Sequence, residues 1–195
     1  MSPSKIEHKL PLEVLEGLAL DQKPRIVMSE GNDPRVIAGA IAACNSGICQ
    51  IILLGSQLGI KNECKNLGLN LPIDISIINP EKSELLPEFE KEYLNIRKKK
   101  GGSIKEAQTK IKEPLIFAAL MVRLGYSTGT VGGAVETTSN VVRAAIQIIG
   151  KSDDAQLISS CFLMYPKGTF PMVFSDCGLV INPDQDELAS IAVMA

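Results

Sequence analysis

The sequence contains no tryptophan, only 4% aromatic residues and a single histidine, His8. One histidine in a polar N-terminal segment argues against a catalytic triad with a histidine base and against a histidine-rich zinc site. The cysteines are odd in number and no two of them form a CxxC pair: Cys44, Cys49, Cys64, Cys161 and Cys177. We therefore expect no metal, and we expect reduced, mostly buried thiols instead of a disulfide framework.

Long apolar runs and an excess of positive charge are also missing. No segment reaches the roughly 18 consecutive apolar residues of a membrane span, and the opening residues, MSPSKIEHKL, lack the apolar core of an export signal. The net charge is -2, and the only dense basic run is the RKKK of residues 97–100, which is too short to indicate nucleic-acid binding. These absences predict a cytoplasmic protein that binds neither membranes nor nucleic acid.

What the chain does have is enough apolar material for a core, with 45% hydrophobic residues over 195 positions. The runs RIVMSE (25–30), ICQIILLG (48–55) and DISIIN (74–79) do not alternate with polar residues, as is typical of strands buried on both faces of a parallel sheet. Helical patterns separate these runs. Asp33 suits the start, and Gly47 the end, of the helix between the first two runs. The order predicts an α/β fold with a doubly wound, mostly parallel sheet.

Residues 88–124 are predicted to be wholly helical, and a short strand and one more helix follow before Gly150. The expected elements are a helix ending at Gly101-Gly102, a helix opened by the capping-box pair Ser103 and Glu106, an apolar helix over 113–125, a short strand within 128–133 and a helix over 138–149.

After Gly150 the pattern changes to two β-rich runs, 157–166 and 170–176, joined by a turn at 167–169. They predict an antiparallel hairpin, followed by a helix that begins at Pro183. We therefore divide the chain into a first α/β domain, residues 1–150, and the beginning of a second α/β domain, residues 151–195.

The segment VGGAVETTSNVVRAAIQIIG (131–150) carries the features of an anion site at the head of a helix. Gly132 and Gly133 allow close backbone approach, Thr137 and Thr138 offer hydroxyls, and Arg143 offers a forked cation. The segment matches neither GxGxxG nor a P-loop. The plainer interpretation is a glycine turn, a helix cap from Thr138 and a surface arginine, and composition alone leaves both open.

Three other positions could carry chemistry. The turn SEGNDPRV (29–36) follows a strand at the edge where α/β proteins bind ligands, although Asp33 is better explained as a helix cap. Arg97, at a basic helix end, suits a phosphate or coenzyme contact, or simply complements the helix dipole. Asp176 and Cys177 are better explained as a strand terminator and a buried small side chain than as catalytic groups.

Four segments, taken together and in order, resemble the phosphate acetyltransferase and phosphate butyryltransferase family: RIVMSEGNDPRV, RKKKG, VGGAVETTSNVVRAAIQIIG, and SSCFLM followed by VFSDCGLVINPDQDELASIA. The resemblance implies two α/β domains of isocitrate/isopropylmalate dehydrogenase-like architecture with a cleft between them, and a homodimer. It implies the reversible conversion of acetyl-CoA and phosphate into acetyl phosphate and coenzyme A. Coenzyme A is then a substrate, with no metal and no permanently bound cofactor.

By resemblance, Thr137, Thr138 and Arg143 would line the phosphate pocket beside Gly132 and Gly133, and Arg97 would contact substrate or coenzyme. Some relatives carry serine where this chain has Gly132.

The resemblance assigns the catalytic aspartate and a serine-arginine pair to a region beyond residue 195. We therefore expect an N-terminal portion of the enzyme whose own activity is doubtful. The alternatives are a phosphate butyryltransferase and a non-catalytic remnant that binds coenzyme A or phosphate. A dehydrogenase-like domain is disfavoured because no GxGxxG follows a strand.

Overall fold

The computed structural model describes residues 11–98, 101, 103–153, 155–166 and 171–195. The chain divides into two compact units, residues 1–150 and 151–195. That the second unit is the beginning of a second α/β domain stays a prediction. None of the described helices is long and apolar enough to cross a membrane.

The first unit is built on a four-stranded parallel sheet with the strand order β3-β2-β1-β4. The strands are β1 (Arg25–Met28), β2 (Gln50–Leu54), β3 (Ser76–Ile78) and β4 (Gly129–Val131). In the register, Ile26 of β1 lies beside Ile51 of β2 on one side and Gly129 of β4 on the other. The predicted parallel α/β sheet is confirmed.

Helices connect these strands. They are α1 (Pro11–Gln22), α2 (Pro34–Ser46), α3 (Gln57–Asn66), α4 (Leu86–Arg97), α5 (Ile104–Lys110), α6 (Pro114–Arg123) and α7 (Thr138–Ala144), the last continuing as a π-helical turn over Ala145–Ile149.

Strand β2 is apolar at four successive positions because the sheet is covered on both faces. Its Ile51 and Leu53 pack in one core cluster with residues of α2 and α3. Its Ile52 and Leu54 pack in the other cluster, with residues of α4, α6 and the π-helical turn. Successive strand side chains point to opposite faces, so an unbroken apolar run serves both layers of a doubly wound fold.

The capping signals of α2 are used as predicted, and that of α5 is used in part. Asp33 accepts the Arg35 N–H at 2.9 Å and caps α2, and Gly47 ends that helix with a φ of 73°, a left-handed conformation that favours glycine. Ser103 accepts the Glu106 N–H at 3.1 Å and caps α5. The reciprocal bond of the predicted capping box is not among the described contacts of this helix start, and the Glu106 carboxylate lies near Arg97 instead.

One prediction about the first unit was wrong in detail, and another is not tested. The helix predicted over 138–149 is α-helical only to Ala144, and its last turn widens into the π-helical turn. That turn presents the carbonyls of Ile148 and Ile149 to the Arg123 guanidinium, at 3.0 and 3.3 Å. The predicted helix end at Gly101-Gly102 falls partly on residues outside the described ranges.

The cysteines are less buried than expected. Only Cys64 is buried, Cys161 is exposed, and Cys44, Cys49 and Cys177 are half-buried. Cys44 lies in the last turn of α2 and Cys49 just before β2, so both sit at element ends, where solvent reaches small side chains. Burial raises the pKa of the Cys64 and Cys49 thiols.

The second unit contains the predicted antiparallel hairpin, formed by β5 (Cys161–Met164) and β6 (Met172–Ser175). The turn predicted at 167–169 lies outside the described residues. The last helix, α8 (Gln185–Met194), begins after Pro183 and not at it, because Asp184 caps it. Asp184 accepts the Asp186 and Glu187 N–H groups at 3.0 and 2.9 Å, and the Glu187 carboxylate accepts the Asp184 N–H in return at 3.0 Å.

Candidate functional site

A cleft of about 930 Å³ opens in the first unit at the carboxyl ends of β1 and β2. This is the edge of a parallel sheet at which α/β proteins bind ligands. The turn after β1 and the loop before α7 form one wall, together with α7 itself. The other wall comes from α4, α5 and the start of α6. Arg97, Lys110 and Arg143 give the cleft its positive charge.

The Glu30 carboxylate holds the loop that precedes α7. Its Oε2 accepts the N–H groups of Gly133 and Ala134 at 2.8 and 2.7 Å, and its Oε1 accepts those of Val135 and Glu136 at 2.9 and 2.6 Å. Burial raises the pKa of this carboxyl, but the four backbone donors together outweigh burial and the pKa is lowered overall. The carboxylate is therefore ionised at neutral pH, with its charge spread over four amides.

Arg35 holds the same loop through a carbonyl. Its Nη2 donates to the Ala134 carbonyl at 2.5 Å and to the Asp33 carboxylate at 2.9 Å. The hydrogen bond from the Arg35 side chain is the main cause that lowers the pKa of Asp33 to about 2. The turn after β1 therefore holds the loop before α7 in two ways: Glu30 accepts its backbone N–H groups, and Arg35 donates to one of its carbonyls.

Gly132 lies where β4 passes close to the turn after β1. A Cβ atom placed on Gly132 would lie 2.6 Å from the Oγ of Ser29, which is too close for carbon and oxygen. Ser29 is itself buried and lines the cleft. In this chain the hydroxyl of residue 29 fills the space that a side chain at residue 132 would need.

The helix that follows is capped by Thr137, whose side chain accepts the Asn140 N–H at 3.3 Å. Thr138 is the first helical residue, so the expectation that Thr138 provides the cap was wrong by one position. A residue in the first turn has helical backbone angles, whereas the capping residue is extended, and Thr137 has that geometry with a ψ of 151°.

The structure brings only some of the predicted binding residues into the cleft. Arg143 lines it and donates to the Asn140 Oδ1 at 3.2 Å, and Arg97 lines it as well. Gly132, Gly133, Thr137 and Thr138 stand beside the cleft and are not among the described residues that line it. The amide of Gly133 is engaged by Glu30, and its predicted binding of phosphate stays a prediction.

The wall formed by α4, α5 and the start of α6 carries two pairs of opposite charge. The Lys110 Nζ donates to the Glu113 Oε1 at 2.8 Å. The Arg97 Nη2 lies 3.6 Å from the Glu106 Oε1, beyond hydrogen-bond distance. The Nε of Arg97 is buried, and it has no hydrogen-bond partner among the residues that the structure describes.

Sequence reasoning missed most of this wall. Tyr93, Lys110 and Glu113 carried no motif, and Glu106 was assigned only to helix capping. An apolar residue such as Tyr93 at helical spacing is ordinarily part of a core, and Tyr93 is indeed nearly buried. The side of α5 that faces the cleft depends on how α4 and α5 pack, and no short sequence pattern specifies that packing.

Asp176 and Cys177 lie in the second unit, directly after β6. One Asp176 carboxylate oxygen accepts the Ser160 N–H at 2.6 Å, and the other accepts the N–H groups of Gly178, Leu179 and Val180 at 3.0, 2.6 and 2.9 Å. The Val180 amide is the largest of the causes that hold the pKa of Asp176 far below its usual range. These contacts suit the predicted strand terminator. Cys177 is half-buried, and its thiol contacts the Phe174 carbonyl at 3.1 Å.

In the described part of the chain, no group of three or more histidine, cysteine, aspartate or glutamate side chains is placed to hold a metal ion.

Comparisons with a family profile, with curated proteins and with solved structures all point to the same family. Residues 12–195 match the profile of the family described as "Phosphate acetyl/butaryl transferase". A phosphate acetyltransferase of Paracoccus denitrificans is 38% identical over 190 residues, which cover 95% of this chain and 56% of that protein. One of Helicobacter pylori (strain J99) is 39% identical over 178 residues, which cover 91% of this chain and 34% of that protein.

Among solved structures, a phosphotransacetylase from Streptococcus pyogenes superposes with a TM-score of 0.86 at 31% identity, over 93% of this chain and 55% of that one. The chain thus spans about half, or less, of the length of the relatives it matches. Matches of sequence and of fold agree over nearly all of its residues, and the chain belongs to the phosphate acetyl/butyryl transferase family.

Proposed function

We propose that this chain takes part in the phosphate acetyltransferase reaction, in which acetyl-CoA and phosphate give acetyl phosphate and coenzyme A. Family membership supports the reaction class, and the curated relatives that bear the acetyl name support acetyl over butyryl transfer. We further propose that the working protein is a cytoplasmic homodimer, that coenzyme A is a substrate, and that no cofactor is permanently bound.

The observation that carries the proposal is the unmet hydrogen-bonding capacity of Arg97. Its side chain is 23% exposed, it lines the cleft, and its buried Nε–H lacks a partner among the described residues. A buried donor without an acceptor costs about 1–3 kcal/mol. An anion that enters the cleft would remove that cost, and a phosphate offers the oxygen pair that a guanidinium fork matches.

Two of the carboxylates that line the cleft are engaged by the protein itself. Glu30 accepts four backbone N–H groups and Asp33 is paired with Arg35, so these two carboxylates repel an anion less than their number suggests. Arg143 and Arg97 both line the cleft. We assign to them the binding of a phosphoryl group.

In the proposed reaction a phosphate oxygen attacks the thioester carbonyl, the carbon–sulfur bond breaks, and coenzyme A leaves as a thiolate that then takes a proton. In the reverse direction phosphate leaves, and cations at its oxygens stabilise the charge that develops there. We give the cations that line the cleft a role in binding and electrostatics.

The test is to mix the purified chain with acetyl phosphate and coenzyme A, follow thioester formation by absorbance, and titrate inorganic phosphate by calorimetry. Arg97→Gln should weaken phosphate binding and lower any turnover. Phosphate binding that depends on Arg97, without turnover, would favour the alternative of a binding remnant. A folded chain that binds neither phosphate nor coenzyme A would contradict the proposal.

A further inference from the structure

We propose that Glu106 sets the affinity of the cleft for anions, as the resident counter-ion of Arg97 that an incoming phosphoryl group must displace. This inference rests on the proposed function for the identity of the anion. It adds a role for a residue that neither binds substrate nor transfers protons.

The first observation is that the pair is incomplete. The guanidinium Nη2 and the carboxylate Oε1 are 3.6 Å apart, with the Arg97 side chain 23% and the Glu106 side chain 39% exposed. At that distance the two charges attract without forming a hydrogen bond. Because the Arg97 Nε is also unpaired among the described residues, the guanidinium keeps donors for a second anion.

The second observation is the contrast with the neighbouring pair. Lys110 and Glu113 form a hydrogen-bonded ion pair at 2.8 Å, and the hydrogen bond that Lys110 donates to Glu113 is the main cause that raises the pKa of Lys110. Arg97 and Lys110 line the same cleft. Lys110 is already well paired, so Arg97 is the cation on this wall that is available to a ligand.

An anion that reaches Arg97 therefore competes with Glu106. A phosphate can form two parallel hydrogen bonds with the guanidinium, whereas Glu106 forms only the long ion pair, so phosphate displaces it. The carboxylate still repels the bound anion from close range, or moves away and loses its attraction to Arg97. In both cases Glu106 weakens binding.

Glu106→Gln removes the charge and keeps the size of the side chain. It leaves the cap of α5 in place, because Ser103 accepts the backbone N–H of residue 106 and not its side chain. We expect phosphate to bind about two- to five-fold more tightly, the range that corresponds to one partly exposed charge pair.

The experiment is a calorimetric titration of the full chain with inorganic phosphate at low ionic strength. The control is Glu81→Gln, which removes one negative charge from an exposed residue that lies 3.9 Å from Lys112 and is not among the residues lining the cleft. Glu106→Ala serves as a second variant. We expect tighter binding in both Glu106 variants, no change in Glu81→Gln, and no gain when Glu106→Gln is combined with Arg97→Gln.

The outcomes separate this inference from the proposed function. If phosphate binding depends on Arg97 but is unchanged or weaker in the Glu106 variants, the inference is wrong and the proposed site stands. If the gain persists without Arg97, Glu106 acts on some other group and the inference is also wrong. If phosphate binding does not depend on Arg97 at all, both proposals fail.

Discussion

The carboxylate of Glu30 accepts the backbone N–H of Gly133 at 2.8 Å, across 103 positions of sequence. The same carboxylate also accepts the next three backbone N–H groups. These four donors, the ring of amides in front of α7, are therefore already occupied by an anion of the protein itself. An external phosphate would have to replace Glu30 to use these amides. The side chains of Arg97 and Arg143 are the more accessible anion-binding groups in the cleft.

Glu30→Gln should destabilise the protein. An amide has one acceptor oxygen, and its NH₂ group would face two of the four N–H donors, so hydrogen bonds to a charged acceptor are lost. We expect the free energy of unfolding in urea to fall by about 1–3 kcal/mol. Glu136→Gln is the matched control. Within the described ranges, the Glu136 side chain accepts only from the exposed Asn140 amide, at 2.8 Å, and glutamine can do the same. If the free energy of unfolding falls equally in the two variants, the bonds from the four amides to Glu30 do not stabilise the protein.

The stabilisation from Glu30 should depend on pH with a defined sign. The pKa of Glu30 is lowered in the folded state relative to its ordinary value of 4.5. Its contribution is therefore fully present above about pH 4.5 and is lost as the pH falls through the folded pKa. The difference in unfolding free energy between wild type and Glu30→Gln should be constant from pH 7 to 5 and should shrink in more acidic buffer. A difference that grows on acidification would contradict this assignment.

Gly132→Ala should be destabilising for a steric reason that Ser29 creates. The new Cβ would lie 2.6 Å from the Ser29 Oγ, and overpacking of this kind costs about 1–3 kcal/mol. Removing the hydroxyl should relieve the clash, so the double variant Ser29→Ala/Gly132→Ala should recover most of the loss. Gly39→Ala is the control, because that position in α2 has nothing within 4 Å of the added carbon. There alanine should stabilise the helix by up to about 1 kcal/mol. Additive effects of the Ser29 and Gly132 changes would rule out the contact.

The two adjacent threonines should respond differently to truncation. Thr137→Ala removes the cap of α7 and should cost about 0.5–2 kcal/mol. Thr138→Ala changes the first helical residue, where alanine is a better helix former than threonine, and should be neutral or slightly stabilising. Thermal unfolding of the two variants side by side tests the assignment. A larger loss of stability in Thr138→Ala than in Thr137→Ala would mean that Thr138 is the cap, as the sequence led us to expect.

The features of the fold that could be predicted are those that depend on residues close to each other in the sequence. Asp33, Pro34 and Gly47 bound α2 as expected, because capping involves groups a few positions apart. The apolar run of β2 predicts a sheet covered on both faces, because its alternate residues have to be buried on opposite sides.

The site was less accessible to sequence reasoning because its contacts are long-range. Glu30 and the loop before α7 meet only when β1 and β4 become neighbours in the sheet. The π-helical turn after α7 depends in the same way on Arg123, 25 positions before Ile148. Residue types alone left two interpretations of residues 132–143 open, an anion site or a plain glycine turn with a helix cap, and they could not indicate that the Glu30 carboxylate accepts the amides of this loop.

Arg143 offers the most direct test of the cleft as a phosphate site. Its guanidinium bonds only the Asn140 side chain, at 3.2 Å, among its hydrogen bonds in the described structure, so most of its donors are available to a ligand. Loss of one charged hydrogen-bonding group costs about 1.5–3 kcal/mol, so Arg143→Ala should weaken phosphate binding about 10- to 150-fold in a calorimetric titration. Arg143→Lys should recover part of the loss, because it keeps the charge without the fork. Lys61→Ala, which removes one positive charge from α3, controls for net charge. If Arg143→Ala and Lys61→Ala lower the affinity equally, Arg143 acts only through the overall charge and does not bind phosphate.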